Sequence, residues 1–216
     1  MKYPDLHPIH TNFDTSIILP FYKKLFEFEK VLGYNAVFFQ RNGVEVLVVM
    51  DEPSEEADVL TLIRKYPLIN WKVLVNRIPH AWRNPGKAIN AGIRAATKKY
   101  VLVCSPESRM YNDVLFRLRY MAEYYDPCFA VGRVSFGTFD RPGRDPHSLT
   151  SLHYGSIMVK KEYLQRVGAY SEHFDKWGGE DDNIRSKLEY AGIRKIEVYD
   201  ALMVHYETEE KGFDKR

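Results

Sequence analysis

The chain has 216 residues, 45% hydrophobic and 28% charged, with a formal net charge of +2 at pH 7. That size suits one substantial core, and the near-balanced charge excludes the marked basic excess of a nucleic-acid binder. Only Cys104 and Cys128 occur, too few for a disulfide framework, so buried free thiols in a reducing compartment are expected.

Residues 1–13 hold no apolar stretch of signal-peptide type, and no segment reaches the ~18 apolar residues of a membrane span. A soluble chain with at most a peripheral membrane contact is expected. The first apolar run, Ser16-Ile17-Ile18-Leu19-Pro20-Phe21-Tyr22, reads as a short buried strand stopped by its proline. Residues 25–32 fit a short helix with Gly33 as its stop. Val44–Met50 is nearly unbroken Val and Leu, which suits a parallel strand covered on both faces. It ends in Asp51-Glu52-Pro53-Ser54, and Glu55 and Glu56 open a helix through residue 63 or 65. A third strand over Trp71–Val75 leads into the irregular loop 76–85, then a helix of short side chains over 86–96. Residues 100–104 give a fourth strand, ending in Ser105-Pro106-Glu107-Ser108. This β-α-β-α-β-α-β half predicts an open parallel sheet with helices on both faces. Beyond Asp113 the pattern gives a helix to residue 125 and strands over 129–134 and 154–159. Between those strands lies a glycine- and proline-rich loop, 137–147. A last helix over 182–191 precedes a strand over 194–199.

The most informative motif is Trp177-Gly178-Gly179-Glu180-Asp181-Asp182. Ile184, Leu188 and Ala191 follow at helical spacing, which puts the acids in the bend and first turn of a helix, where negative charge is favoured. A solvated acidic cap satisfies the same pattern. Polar signatures also fall where strands end: Asp51-Glu52, Ser105-Pro106-Glu107 and the segment before His205. Ligands of open α/β sheets collect at that rim, and such oxygens with one imidazole suit Mn²⁺ or Mg²⁺ bridging to phosphate. No GxxxxGK[ST], GxGxxG or GxSxG motif occurs, which disfavours P-loop ATPases, ordinary dinucleotide enzymes and serine hydrolases.

Taken in order over residues 14–206, these signals resemble the inverting family 2 glycosyltransferases, which adopt the GT-A nucleotide-sugar fold. Ser16-Ile17-Ile18-Leu19-Pro20 looks like their opening strand and Val46-Leu47-Val48-Val49-Met50-Asp51 like their second. Asn90-Ala91-Gly92-Ile93-Arg94-Ala95-Ala96 is similar to the helix before the metal-site strand. The second half resembles the galactosyltransferase and N-acetylgalactosaminyltransferase branches. The resemblance implies an open, mostly parallel α/β sheet in a single domain, with residues 14–110 holding the nucleotide sugar and 111–206 the acceptor and catalytic groups. It implies transfer of a hexose or N-acetylhexosamine, galactose type first, from a UDP-sugar to a saccharide or lipid-linked saccharide on the cytoplasmic side of a membrane.

Residue by residue, the resemblance makes Asp181 the general base, with Glu180 beside it. Pro20, Tyr22, Asp51, Lys87 and Ser105 would hold the donor, and Trp177, Gly179 and Asp182 the acceptor. Glu107 and His205 would ligate Mn²⁺ or Mg²⁺, although the usual Asp-x-Asp reads Ser105-Pro106-Glu107 here. Arg83 is a further diphosphate candidate, Asn90 a loop tie, and residues 141–147 a closing loop. Each of these also has a plain role as cap, packed aromatic or solvated charge. A noncatalytic nucleotide-sugar or carbohydrate binder and a nucleotidyltransferase are the competing readings.

Overall fold

Side chains along the central strands alternate between two cores, which is the two-sided burial expected of Val44–Met50. Ile17, Leu19, Val46, Val48, Tyr100 and Leu102 face one core. Ile18, Leu47, Val49, Val101 and Val103 face the other. In this computed structural model the described residues are 12–82, 84–137, 151–176 and 178–206. In chain order they form β1 (Thr15–Phe21), α1 (Leu25–Phe39), β2 (Val44–Met50), α2 (Glu56–Ile63), β3 (Trp71–Val75), α3 (Gly86–Ala95) and β4 (Tyr100–Val103). There follow β5 (Ser108–Met110), α4 (Val114–Tyr124), β6 (Cys128–Gly137), β7 (Ser151–Lys160), α5 (Lys161–Arg166), α6 (Glu180–Tyr190) and β8 (Arg194–Tyr206).

The strands make one eight-stranded sheet ordered β3-β2-β1-β4-β7-β6-β8-β5. β3, β2, β1 and β4 run parallel, as expected from the alternating pattern. β7 is antiparallel to β4 and β6, β8 is parallel to β6, and β5 closes the edge antiparallel to β8. Apolar residues of α1, α2 and α4 join the first core, and those of α3, α5 and α6 the second.

The structure departs from the expected boundaries at identifiable points. β1 passes through Pro20 to Phe21. Its ladder to β4 ends at Ile18↔Val103, so the missing N–H of Pro20 falls where there is no strand left to pair. α1 runs through exposed Gly33 to Phe39, because its last turns are tied to β5. The buried Asn35 donates from Nδ2 to the Ser108 carbonyl at 2.8 Å, and its Oδ1 accepts from Met110 N at 2.9 Å. β8 continues beyond Tyr199 after a register shift against β6. Asp200 lies beside that irregularity, its carbonyl held by Asn112 and Arg117 at 2.7 and 2.9 Å. β5 and α5 carry no strong periodic signal and were not expected.

Candidate active site

Chain connectivity defines where a ligand crevice is expected at the rim. From β1 the chain moves outward to β2 and β3, then returns through α3, on the opposite face, to β4 on the other side of β1. The carboxyl ends of β1 and β4 therefore flank a topological switch point, the usual ligand crevice of open α/β sheets. Three of the groups at this crevice form a linked set. Lys24, at the start of α1, places Nζ 3.0 Å from Glu107 Oε1, and the two side chains are only 15% and 9% exposed. His205 Nε2 lies 3.4 Å from the same carboxylate oxygen. Strand pairing fixes this meeting: Ser108 pairs with His205, and Tyr206 N donates to the Glu107 carbonyl. Ser105 accepts at its carbonyl from Ser108 N at 3.0 Å, closing the turn that carries Glu107.

Whether these groups suit a divalent cation follows from their chemistry. Mg²⁺ and Mn²⁺ favour several oxygen ligands, with more than one carboxylate or a phosphate to supply them. Here the first acid of the usual pair is Ser105, and among the described residues no three His, Cys, Asp or Glu side chains converge as a ligand set. Glu107 Oε1 is already shared by an ammonium. Oε2 is buried with no hydrogen-bond partner among the described residues, which leaves one open acceptor. Glu107 and His205 thus come together as expected, but with Lys24 on the carboxylate they do not make a divalent cation's donor set. His153, at the start of β7, stands edge-on to His205 with ring centroids 6.1 Å apart. Burial, with His205 adding, pushes its imidazole down to about 3.

A second cluster sits at the ends of β2 and β3. Asp51 is buried and its N–H donates to the Phe21 carbonyl. His80 Nε2 lies 2.8 Å from the Asp51 carbonyl and 3.5 Å from Oδ1. The His80 ring stacks on Trp82 at 3.7 Å and 8°, and Lys87 Nζ lies 3.7 Å from the Trp82 ring centre. Burial raises the Asp51 carboxyl above its ordinary range, with His80, Trp82 and Lys87 opposing that rise. Tyr22 is half-buried beside Lys23, whose Nζ is 5.4 Å from its ring centre.

The acids open α6 two residues earlier than expected, at Glu180, with Gly179 as N-cap. Gly178 and Gly179 have φ of 91° and 87°, the left-handed region that side chains disfavour, so this bend needs both glycines. The three carboxylates then differ. Glu180 Oε2 accepts from Asn84 Nδ2 at 2.8 Å, and burial, with Asp181 and Asp182 adding, raises its carboxyl. Asp182 is exposed and paired with Arg185 at 3.2 Å. Asp181 accepts only from the adjacent Asp182 N–H and has no side-chain partner among the described residues. Asn84 also donates to the Lys176 and Gly178 carbonyls at 3.1 and 3.3 Å, which joins the acid cluster to the loop after β3. Asn90 binds Tyr170 and Glu172 instead of facing the rim, the loop tie foreseen for it. A groove between α3 and α6, lined by Arg94, Tyr170, Glu172 and Lys187 among others, shares none of the crevice groups. Trp177, Arg83 and residues 141–147 lie outside the described residues.

Lys24, His80, Trp82, Asn84 and His153 were not singled out in the sequence. The Trp82–Lys87 spacing around Asn84-Pro85-Gly86 was a usable signal for a helix entry, but the contacts of Lys24 and His153 depend on strand order.

Residues 145–211 match a family model described as the N-terminal domain of galactosyltransferase, a segment that includes Gly179–Asp182 and His205. Among solved structures, the mannosyltransferase PcManGT from Pyrobaculum calidifontis, in complex with GDP-Man and Mn²⁺, superposes with a TM-score of 0.66 at 18% identity, over 92% of this chain and 58% of that one. GalNAc-T7 with UDP, GalNAc and Mn²⁺ gives 0.69 at 13% identity, over 91% and 44%. TarS from S. aureus gives 0.66 at 16%, over 89% and 36%. This is the GT-A glycosyltransferase fold. The chain spans at most 58% of the length of these three GT-A proteins.

Proposed function

We propose that the chain is an inverting glycosyltransferase. It moves a hexose or N-acetylhexosamine, galactose type first, from a UDP-sugar to a saccharide hydroxyl, with Asp181 as general base. The observation supporting this is the gathering at one rim of groups remote in sequence. Lys24 and Glu107 flank the switch point, Asp51 and Lys87 stand beside it, and Asn84 links their loop to the acids of α6.

In this reading Asp51, Pro20 and Tyr22 hold the base and Ser105 the ribose or phosphate, while Lys87 leaves the Trp82 face for the diphosphate. Glu180, half-buried and held by Asn84, fixes the turn. Gly179, Asp182 and Trp177 shape the acceptor side. The acceptor oxygen attacks the anomeric carbon from the face opposite the diphosphate, its proton passes to Asp181, and the departing C–O bond leaves its electron pair on phosphate. A general base at hydrogen-bond reach contributes roughly 10²–10⁴-fold. The diphosphate's charge would be neutralised either by Mn²⁺ or Mg²⁺, which Glu107 and His205 would have to hold, or by the chain's own cations. Mn²⁺ is present in the PcManGT and GalNAc-T7 complexes, but the donor set here favours the second.

No helix among the described residues is long and apolar enough to cross a membrane, and a lipid-linked acceptor at the cytoplasmic face is part of the proposal. The residue ranges 14–110 and 111–206 serve as its donor and acceptor halves. The test is a panel of UDP-sugars with Asp181→Asn alongside the unaltered chain. Sugar release from UDP-galactose or UDP-N-acetylgalactosamine is expected, falling about 100-fold or more in the variant while UDP affinity is kept. Unchanged turnover in the variant removes Asp181. Serine in place of the first acid, Ser105, favours a noncatalytic nucleotide-sugar binder as the second reading, and UDP binding with no sugar release would select it.

A further inference from the structure

We propose that Lys24 is the built-in cation of this site, contacting the donor's diphosphate and neutralising it as the glycosidic bond breaks. The inference rests on the donor reading above and names how that site handles charge. Lys24 follows β1 by three residues and its ammonium reaches across to Glu107, just beyond β4, so it bridges the two strand ends that flank the switch point. An ammonium held 3.0 Å from a carboxylate at that crevice supplies, from within the chain, positive charge of the kind a metal would bring.

Its surroundings favour such a role. The 15-residue α1 starts at the next residue, so its positive end faces the same crevice and adds to the attraction for an anion. The pair is nearly buried, which keeps the charges weakly screened. Lys87, the cation foreseen from the sequence, instead rests on Trp82 beside β2 and β3. When the anomeric C–O bond breaks, its electron pair becomes an extra negative charge on UDP. Lys24 stabilises that charge without giving up a proton, because the acceptor's proton has gone to Asp181. Preorganised positive groups where charge develops are among the largest contributors to catalysis.

Calorimetric binding of UDP, UMP and uridine in the presence of EDTA tests this directly. The unaltered chain should bind UDP in chelator and release sugar there. Lys24→Met should weaken UDP about 10–100-fold, as expected for loss of a charge-assisted contact, and change uridine by less than about threefold. Lys24→Arg should stay within about fivefold for UDP. Because Lys24→Met leaves the buried Glu107 without its ammonium and with only His205 beside it, Lys24→Met/Glu107→Gln is the decisive variant and should show the same UDP-selective loss. Equal UDP affinities for that double variant and the unaltered chain would overturn the inference. So would UDP binding or sugar release that needs added Mn²⁺ or Mg²⁺. If the unaltered chain binds no nucleotide with or without Mn²⁺, the donor reading itself fails and this inference falls with it.

Discussion

At the residue scale, the charged side chain that shapes stability most clearly is far from the crevice. Glu45 interrupts the apolar run of β2 and is 1% exposed. Its carboxylate accepts from Ser16 Oγ at 2.6 Å and from Thr97 N and Oγ1 at 2.6 and 2.9 Å, and Lys72 Nζ lies 2.7 Å away. Burial alone would raise this carboxyl, but Lys72, Ser16 and Thr97 outweigh it and hold it at about 2. A folded value below the unfolded one favours the folded state above the ordinary carboxylate range. That contribution is lost as the pH falls through the folded value, so the relevant window runs from about 4.5 down to about 2. Glu45→Gln should therefore lower stability at pH 7 by up to roughly 3 kcal/mol, a difference that shrinks on acidification through this window. Urea titrations of both chains at several pH values measure it. A gap independent of pH would mean that shape rather than charge is at stake. Sequence reading passed over Glu45 because one acid inside a Val-rich strand announces no partner.

At the element scale, two glycines in helices make opposite predictions. A Cβ on Gly33, in α1, would meet only Tyr66 Oη at 3.5 Å, an ordinary contact. Gly33→Ala should then stabilise by up to about 1 kcal/mol through helix propensity. A Cβ on Gly92, in α3, would lie 2.6 Å from Ile18 Cγ2 and 3.2 Å from Val49 Cγ2. Those methyls sit on stiff β-branched side chains of β1 and β2, so Gly92→Ala should lose about 1–2 kcal/mol net despite the better propensity. Thermal melts of both variants decide the matter; a Gly92→Ala chain as stable as its parent would mean that α3 slides without cost. The same pair shows what was legible. Periodicity placed both helices, but a glycine looks alike in sequence whether it stops a helix, lies exposed on one or lets one approach a sheet. The first four strands and their parallel order were readable because two-sided burial leaves an apolar run. The second half was less so: β5 is three residues long, and β8 continues past a polar irregularity at Asp200 that mimics an end.

At the scale of the whole molecule, one sheet carries both the proposed nucleotide side and the proposed acceptor side, and the switch point lies where its connectivity reverses. Hydrogen exchange should reflect this. Amides of β1, β2 and β4, buried on both faces, should exchange slowest and the half-exposed edge strand β3 sooner. UDP should slow exchange mainly in the turns after β1, β2 and β4; protection confined to the α3–α6 flank would place the ligand elsewhere. Of the candidate site, the positions of its acids, Asp51, Glu107 and His205 at strand ends and a helix start were legible in the sequence. The cation at Glu107 was not, since Lys24 and Glu107 meet only through the adjacency of β1 and β4. Asn84 has a wider effect. A single carboxamide fastens the turn bearing Asp181 to the strap that leaves β3. Cutting that fastener with Asn84→Ala would leave both reactants able to dock yet out of step, so Michaelis constants should hardly move while the catalytic rate constant drops.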